Sequence, residues 1–178
     1  MTLKERYNTE IVPRLMRDLG YTNPMAVPRV QKIVLNVGMG AAQSDPKLAD
    51  AVERSLVHIT GQRPVRTLAR KSIASFKIRQ GMPIGMMTTL RGKRMWDFLE
   101  KLIRVSLPRV RDFRGIAPST VDGRGNLSIG FREHVMFPEI TGDEVEKTHG
   151  IQVTVVSSAG NRAAGLALFT ALGVPFRT

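Results

Sequence analysis

The spacing of apolar side chains divides the chain into helical and extended stretches. Leu3, Tyr7, Ile11, Leu15 and Leu19 recur every four residues and Gly20 follows, which predicts an amphipathic N-terminal helix over 3–20. From Arg29 to Val37 the period changes to two, with Ile33, Leu35 and Val37 on one side and Lys32, Val34 and Asn36 on the other. That pattern predicts a half-buried strand. After Gly38-Met39-Gly40, Asp45 supplies an N-cap, Pro46 a first helical residue, Leu48, Val52, Leu56 and Ile59 an apolar stripe, and Gly61 a stop. Pro64–Arg70 and Ile84–Arg91 read as two strands, joined by the aperiodic segment Lys71–Pro83 into an extended hairpin arm. Gly92 leads into a helix that turns Met95, Phe98, Leu99, Leu102 and Ile103 inward, and Pro108 is expected to end it. A last strand places Ile151, Val153 and Val155 on one side, followed by a helix from the cap Asn161 to Leu172 and the stop Gly173-Val174-Pro175.

Strand, helix, strand, strand, helix, strand is the order of a split βαβ unit of ferredoxin-like or RRM-like type. The predicted class is α+β: an antiparallel sheet with helices on one face, preceded by the N-terminal helix and interrupted by the long hairpin arm. The organisation is one domain over 1–178, with its core at 29–107 and 150–173. An insertion at 108–149 is rich in turn signals, among them Val121-Asp122-Gly123-Arg124-Gly125-Asn126, and favours a hairpin before Leu127–Phe131. Helices on one side leave the other side of the sheet open. Alternation assigns Asn36, Thr89 and Arg91 to that open side, and places Arg66 and Arg70 on a shared side of the second strand. A hydrogen-bonding, cationic sheet face suits sugar hydroxyls and phosphates.

Charge sharpens this picture. The 178 residues contain 27 Lys plus Arg, 15 Asp plus Glu and no cysteine, a formal net charge of +12 that favours a polyanionic partner. Residues 62–115 hold 14 basic and 3 acidic groups, whereas 1–61 hold 8 and 6 and 116–178 hold 5 and 6. A surplus so localised marks a contact surface. Zero cysteines exclude disulfides, thiolate zinc sites and thiol nucleophiles, and no apolar run is long enough for a membrane span or a signal peptide, so the expected location is the cytoplasm.

Catalytic chemistry finds little support. Gly38-x-Gly40 lacks the third glycine of a dinucleotide fingerprint, and His58, His134 and His149 stand singly. Asp45, Asp50 and Glu53 are the only set to be weighed as magnesium ligands of an RNA-processing enzyme, the rival reading, and Asp45 already has work as a helix cap. No metal, cofactor or small-molecule substrate is expected. The predicted strands carry no aromatic side chain on which to stack single-stranded bases, which favours folded RNA recognised through its minor groove, 2′-hydroxyls and phosphates. The arm, with Lys71, Ser72, Ile73, Phe76, Lys77, Ile78, Arg79 and Gln80, is a second candidate site because a long loop in a small domain is commonly functional.

Several ordered motifs carry a family resemblance. Lys71-Ser72, Phe76-Lys77-Ile78-Arg79-Gln80-Gly81-Met82-Pro83-Ile84-Gly85, Thr89-Leu90-Arg91-Gly92-x-x-Met95-Trp96, Pro108-Arg109-Val110-Arg111-Asp112-Phe113-Arg114-Gly115, Asp122-Gly123-Arg124-Gly125-Asn126, Phe137-Pro138-Glu139-Ile140 and the closing Pro175-Phe176 together resemble the bacterial large-subunit ribosomal protein L5 family, essentially end to end. The resemblance implies a structural rRNA-binding protein of the central protuberance. Such a protein would anchor 5S rRNA, touch 23S rRNA, approach P-site tRNA, neighbour other central-protuberance proteins and bridge to a small-subunit head protein. It carries 5S rRNA contacts onto Asn36, Gln62, Thr89 and Arg91, and a tRNA-facing role onto the Lys71–Gly81 arm. A transient ribosome assembly factor is the duller alternative. Ala159-Gly160-Asn161-Arg162-Ala163 departs from the family pattern, in which acidic residues open the last helix.

Overall fold

Burial alternates along the strands with the period that the sequence sets. In the computed structural model, which describes residues 1–40, 46–140 and 148–177, β1 (Val30–Gly38) buries Ile33, Leu35 and Val37 while Lys32, Val34 and Asn36 stay half-buried. β2 (Val65–Leu68) pairs antiparallel with β3 (Pro83–Leu90), setting Val65 opposite Met87, Arg66 opposite Met86 and Thr67 opposite Gly85. β3 buries Met86, Thr88 and Leu90; β4 (Leu127–Phe131) buries Leu127, Ile129 and Phe131; β5 (Ile151–Ser157) buries Ile151, Val153 and Val155. The sheet is antiparallel and five-stranded, in the order β2-β3-β1-β5-β4. The predicted α+β class therefore holds, with one addition: the insertion supplies an edge strand, which sits beside β5 rather than standing apart as a separate hairpin. Val121 and Leu127 do meet in the expected hairpin bridge.

The helices follow their apolar stripes. α3 (Pro46–Thr60) buries Ala51, Val52, Leu56 and Ile59, α4 (Gly92–Lys101) buries Met95, Phe98 and Leu99, and α5 (Arg162–Leu172) buries Ala164, Leu168, Phe169 and Leu172. The Asn161 side chain caps α5 by accepting the Ala164 N–H at 2.8 Å, as predicted. The capping role assigned to Asp45 lies outside the described residues.

Prolines are handled differently from the expectation. The N-terminal helix is broken into α1 (Leu3–Arg6), a wide turn over Tyr7–Ile11 and α2 (Val12–Leu19), and Pro13 stands just after the wide turn. The same sequence of events follows α4: a wide turn over Leu102–Ser106 and then a tight turn, Leu107–Arg109, that contains Pro108. A proline ring collides with the carbonyl four residues earlier in a regular helix, and one turn of wider pitch relieves that collision. Pro108 thus does not stop the helical path, which runs on to Arg109.

The chain forms two compact units. The first comprises Met1–Ile33, Leu90–Ile129 and Thr154–Thr178. Within it a reciprocal Thr2–Glu5 capping box starts α1, the Leu3 N–H donates to Glu100 at 3.1 Å, and Tyr7 lies 5.3 Å from the Trp96 ring. The Tyr7 hydroxyl donates to the Pro28 carbonyl at 2.8 Å, and burial pushes its pKa above the usual phenol value. Asp122 closes the loop before β4 by accepting from the Arg124 and Asn126 N–H groups at 2.9 and 2.8 Å, and the Ser157 hydroxyl ties down the Gly125 carbonyl at 2.6 Å. This loop lies directly against α5. A Cβ on Gly165 would stand 2.5 Å from the Gly125 Cα and 2.7 Å from its carbonyl oxygen, and Gly125 itself has φ +79°. The second unit comprises Val34–Thr89 and Gly130–Val153. There Ser55, fully buried, bonds His149 Nε2 at 3.2 Å, and the His149 ring stacks on His134 at 3.9 Å.

Because the Gly125–Gly165 contact is backbone on backbone, no rotamer change relieves a larger side chain. Gly165→Ala is expected to destabilise the protein by about 2 kcal/mol, lowering Tm by about 6 °C. Gly130→Ala, where an added Cβ meets nothing within 4 Å, should leave stability within about 1 kcal/mol. Thermal unfolding of the two variants checks the pair.

Candidate nucleic-acid interface

Side chains of the second unit that point away from the buried side of the strands are Val34 and Asn36 on β1, Met87 and Thr89 on β3, and Val65 and Thr67 on β2. Pairing fixes the assignment for β2, since residues opposite one another in an antiparallel ladder share a face. Val65 faces with Met87, whereas Arg66 faces with the fully buried Met86. The open side is therefore neutral here, mixing amide and hydroxyl groups with two exposed apolar side chains, Val65 at 65% and Met87 at 36% exposure. The half-buried Asn36 side chain has no hydrogen-bond partner among the described residues. Thr67 covers the space over Gly85, where a Cβ would come within 2.8 Å of the Thr67 hydroxyl.

Gln62 enters this surface from α3. Gly61 turns the chain with φ +64°, the Thr60 hydroxyl takes the Gln62 N–H at 3.2 Å, and Gln62 Nε2 reaches the Thr89 carbonyl at 3.4 Å. Asn36, Gln62 and Thr89 thus belong to one unit, and Gln62 touches Thr89 directly. Arg91 lies one residue beyond β3, as the extended residue preceding α4, exposed and without an ion pair among the described residues.

Arg66 and Arg70 require correction. They do not share a side of a common strand: β2 ends at Leu68, and a register shift between Thr67 and Leu68 resets the two-residue count before Arg70. Arg66 turns toward α3, where its guanidinium holds Glu53 at 2.9 Å, and Arg63 holds the other Glu53 oxygen at 3.1 Å. The open side is consequently less cationic than alternation alone implied. Glu53, weighed as a magnesium ligand in the rival reading, is engaged by two arginines instead. Arg70 is exposed beside an open hollow of about 730 Å³ lined by Thr67, Leu68, Ala69, Lys71, Ile73, Ile78 and Ile84.

The arm is ordered by its own backbone. Ile73 and Ile78 exchange N–H···O bonds of 2.9 and 3.1 Å around the tight turn Ala74–Phe76, Lys77 adopts φ +54°, and the Gln80 N–H donates to the Ser72 hydroxyl at 3.0 Å. Phe76 is 68% exposed and Ile73 44%, flanked by the exposed Lys71, Lys77 and Arg79. A ring that large, left in water between cations, has a face open for stacking. The apolar component of the sheet face, Val65 and Met87, was missed by sequence reasoning; the pairing of β2 with β3 was the information needed to find it.

Glu53 gives the site a titration signature. Hydrogen bonds from Arg66 and then Arg63 hold its carboxyl below the usual glutamate value. A depressed carboxylate pKa contributes stability above the unfolded value of about 4.3 and loses it as pH falls through the folded value. Glu53→Gln should therefore be less stable than wild type by up to about 1 kcal/mol at pH 7, with the gap closing at the acid end of a series of urea midpoints.

The chain was compared with known proteins. The family model described as ribosomal protein L5 matches residues 23–79, and the model for the C-terminus of the ribosomal L5 family matches residues 83–176. Large ribosomal subunit protein uL5 of Halothermothrix orenii is 55% identical over 174 residues, covering 98% of this chain and 97% of the relative. The protein of the same name from Roseiflexus sp. (strain RS-1) is 55% identical over 175 residues with 98% and 97% coverage, and that of Desulfotalea psychrophila 51% identical over 175 residues with 98% of each chain.

Proposed function

The chain belongs to the ribosomal protein L5 family, a structural RNA-binding protein of the large ribosomal subunit and not an enzyme, and from that premise we propose that its open sheet face seats 5S rRNA. The observation that carries this reading is the neutral set Asn36, Thr67 and Thr89, presented on one side of adjoining strands, with Gln62 bonded to the Thr89 carbonyl beside them. Such groups suit a shallow A-form minor groove, where 2′-hydroxyls and base edges are offered and stacking is not. Arg91, Arg66 and Arg70 belong to the same reading as phosphate contacts, with Arg66 first having to leave or share Glu53.

The same proposal gives the basic arm to P-site tRNA. Lys71, Ser72, Ile73, Phe76, Lys77, Ile78, Arg79 and Gln80 form a self-supporting projection whose exposed ring and cations fit a folded RNA surface. The protein also contacts 23S rRNA, anchors the central protuberance among its neighbouring proteins and, through the insertion, helps bridge to a small-subunit head protein. The surrounding compartment is the cytoplasm.

Two experiments test this. Asn36→Ala with Thr89→Ala removes hydrogen-bonding groups without removing charge, so 5S rRNA affinity should fall by about 10-fold or more while the slope of log affinity against log salt stays at the wild-type value. Arg91→Gln should reduce that slope by about 1. Unchanged affinity for the double variant would overturn the sheet-face assignment. Replacing 73–80 by a short glycine-serine turn should spare 5S rRNA binding and weaken P-site tRNA engagement on reconstituted ribosomes; loss of both together would refute two separable surfaces.

A further inference from the structure

A different concentration of charge is left unused by that reading. Arg109, Arg111 and Arg114 fall within one exposed turn of the first unit, and the C-terminal segment adds Arg177. Backbone pairing brings the last one in: the Ile116 N–H donates to the Pro175 carbonyl at 2.8 Å, the Arg177 N–H donates to the Ile116 carbonyl at 2.9 Å, and Ile116 forms a parallel bridge with Phe176. The Arg177 Nε–H then donates to the Gly115 carbonyl at 3.2 Å, leaving the other guanidinium hydrogens free. Gly115 is needed for this closure, since it has φ +86° and a Cβ there would lie 3.0 Å from the Arg177 nitrogen. At the turn's other end the Val110 N–H is held by the Leu107 carbonyl at 3.2 Å, and Asp112 sits at φ +52°, a conformation that aspartate tolerates better than most residues.

Among the described residues none of these four arginines has an ion-pair partner, Asp112 included. Three other arginines of the same unit do have carboxylate partners, Arg6 with Glu10, Arg14 with Asp18 and Arg104 with Glu100. Like charges carried on a backbone tied at both ends make this part of the surface locally positive and attractive to an anion. Every member is arginine, whose planar fork matches phosphate oxygens two at a time, and the ordered turn leaves little conformational entropy to lose on binding. We infer that the turn Arg109–Gly115, together with Arg177, is a phosphate-binding surface for the sugar-phosphate backbone of RNA, separate in its residues from the sheet face and the arm. It reads no sequence, and it does not depend on which RNA the sheet face holds.

The test uses the full chain and an RNA duplex of unrelated sequence. Arg109→Gln, Arg111→Gln and Arg114→Gln combined should lower the salt slope by about 3, so that over a fourfold rise in salt wild-type affinity falls about 40-fold more than the variant's. The corresponding triple lysine variant should keep the slope, and the Asn36→Ala, Thr89→Ala variant should match wild type, which separates this surface from the proposed 5S rRNA face. Thermal unfolding at the wild-type temperature shows that the glutamine variant is folded; should it unfold early, Arg111→Gln alone, expected to lower the slope by about 1, decides. A wild-type slope in the folded glutamine variant overturns the inference. So does a variant that keeps its RNA slope and loses binding to poly-glutamate, which would mark an acidic protein as the occupant. Repeating the measurement with 5S rRNA already bound identifies the source of the phosphates: a slope difference that persists assigns the turn to a second RNA, and one that vanishes assigns it to 5S rRNA, both in accord with a phosphate surface.

Discussion

Ile33, Leu35 and Val37 are completely buried, and a strand gives its side chains only two directions, so Asn36 has to face outward. The placement of the candidate face depends on this alternation. β3 repeats it with Met86, Thr88 and Leu90 beneath and Met87 and Thr89 above, and β5 repeats it with Val153 and Val155 beneath and Thr154 above. Burial of one apolar row fixes the orientation of each neighbouring polar group without any dedicated interaction. An outward amide such as Asn36 is then held by the core, and its own hydrogen-bonding capacity stays uncommitted among the described residues.

This explains how much could be read in advance. Strands with a single covered face announce their outward residues, so Asn36 and Thr89 were legible from spacing. Arg66 was not, because the facing of an edge strand depends on its pairing register, and Arg66 opposite Met86 is a relation between residues twenty positions apart. The register shift after Thr67 then removed the basis for coupling Arg66 to Arg70. Pro108 was read as a helix stop and Pro13 was not singled out; the wide turns that admit both leave no local signature, since apolar spacing is nearly the same through a turn of slightly larger pitch. β4 was read as part of a hairpin, but its place in the sheet was not, for another reason. Leu127, Ile129 and Phe131 alternate clearly, but nothing in that alternation says which sheet they join.

Charge and fit are divided between different residues. The groups presented by β1, β2 and β3 in the second unit are uncharged, whereas cations concentrate on the arm, around α4 and on the turn that follows it. Long-range attraction tolerates imprecise geometry, so arginines and lysines can serve it from loops; hydrogen bonds to hydroxyls and base edges need positions fixed within tenths of an ångström, and a sheet supplies them. Glu53 occupies the boundary between the two roles. By holding Arg63 and Arg66 it lowers the charge beside Gln62 and keeps two long side chains away from the neutral surface.

β2 has a consequence that concerns the protein before it meets RNA. It is an outer strand, four residues long, with Val65 and Leu68 in water, and such an edge invites a second chain to add a strand of its own. The register shift between Thr67 and Leu68 bends the ladder after three regular pairs, leaving too short a template for a stable intermolecular sheet. The irregularity that reset the facing count before Arg70 thereby also shortens the regular edge with which a second chain could pair.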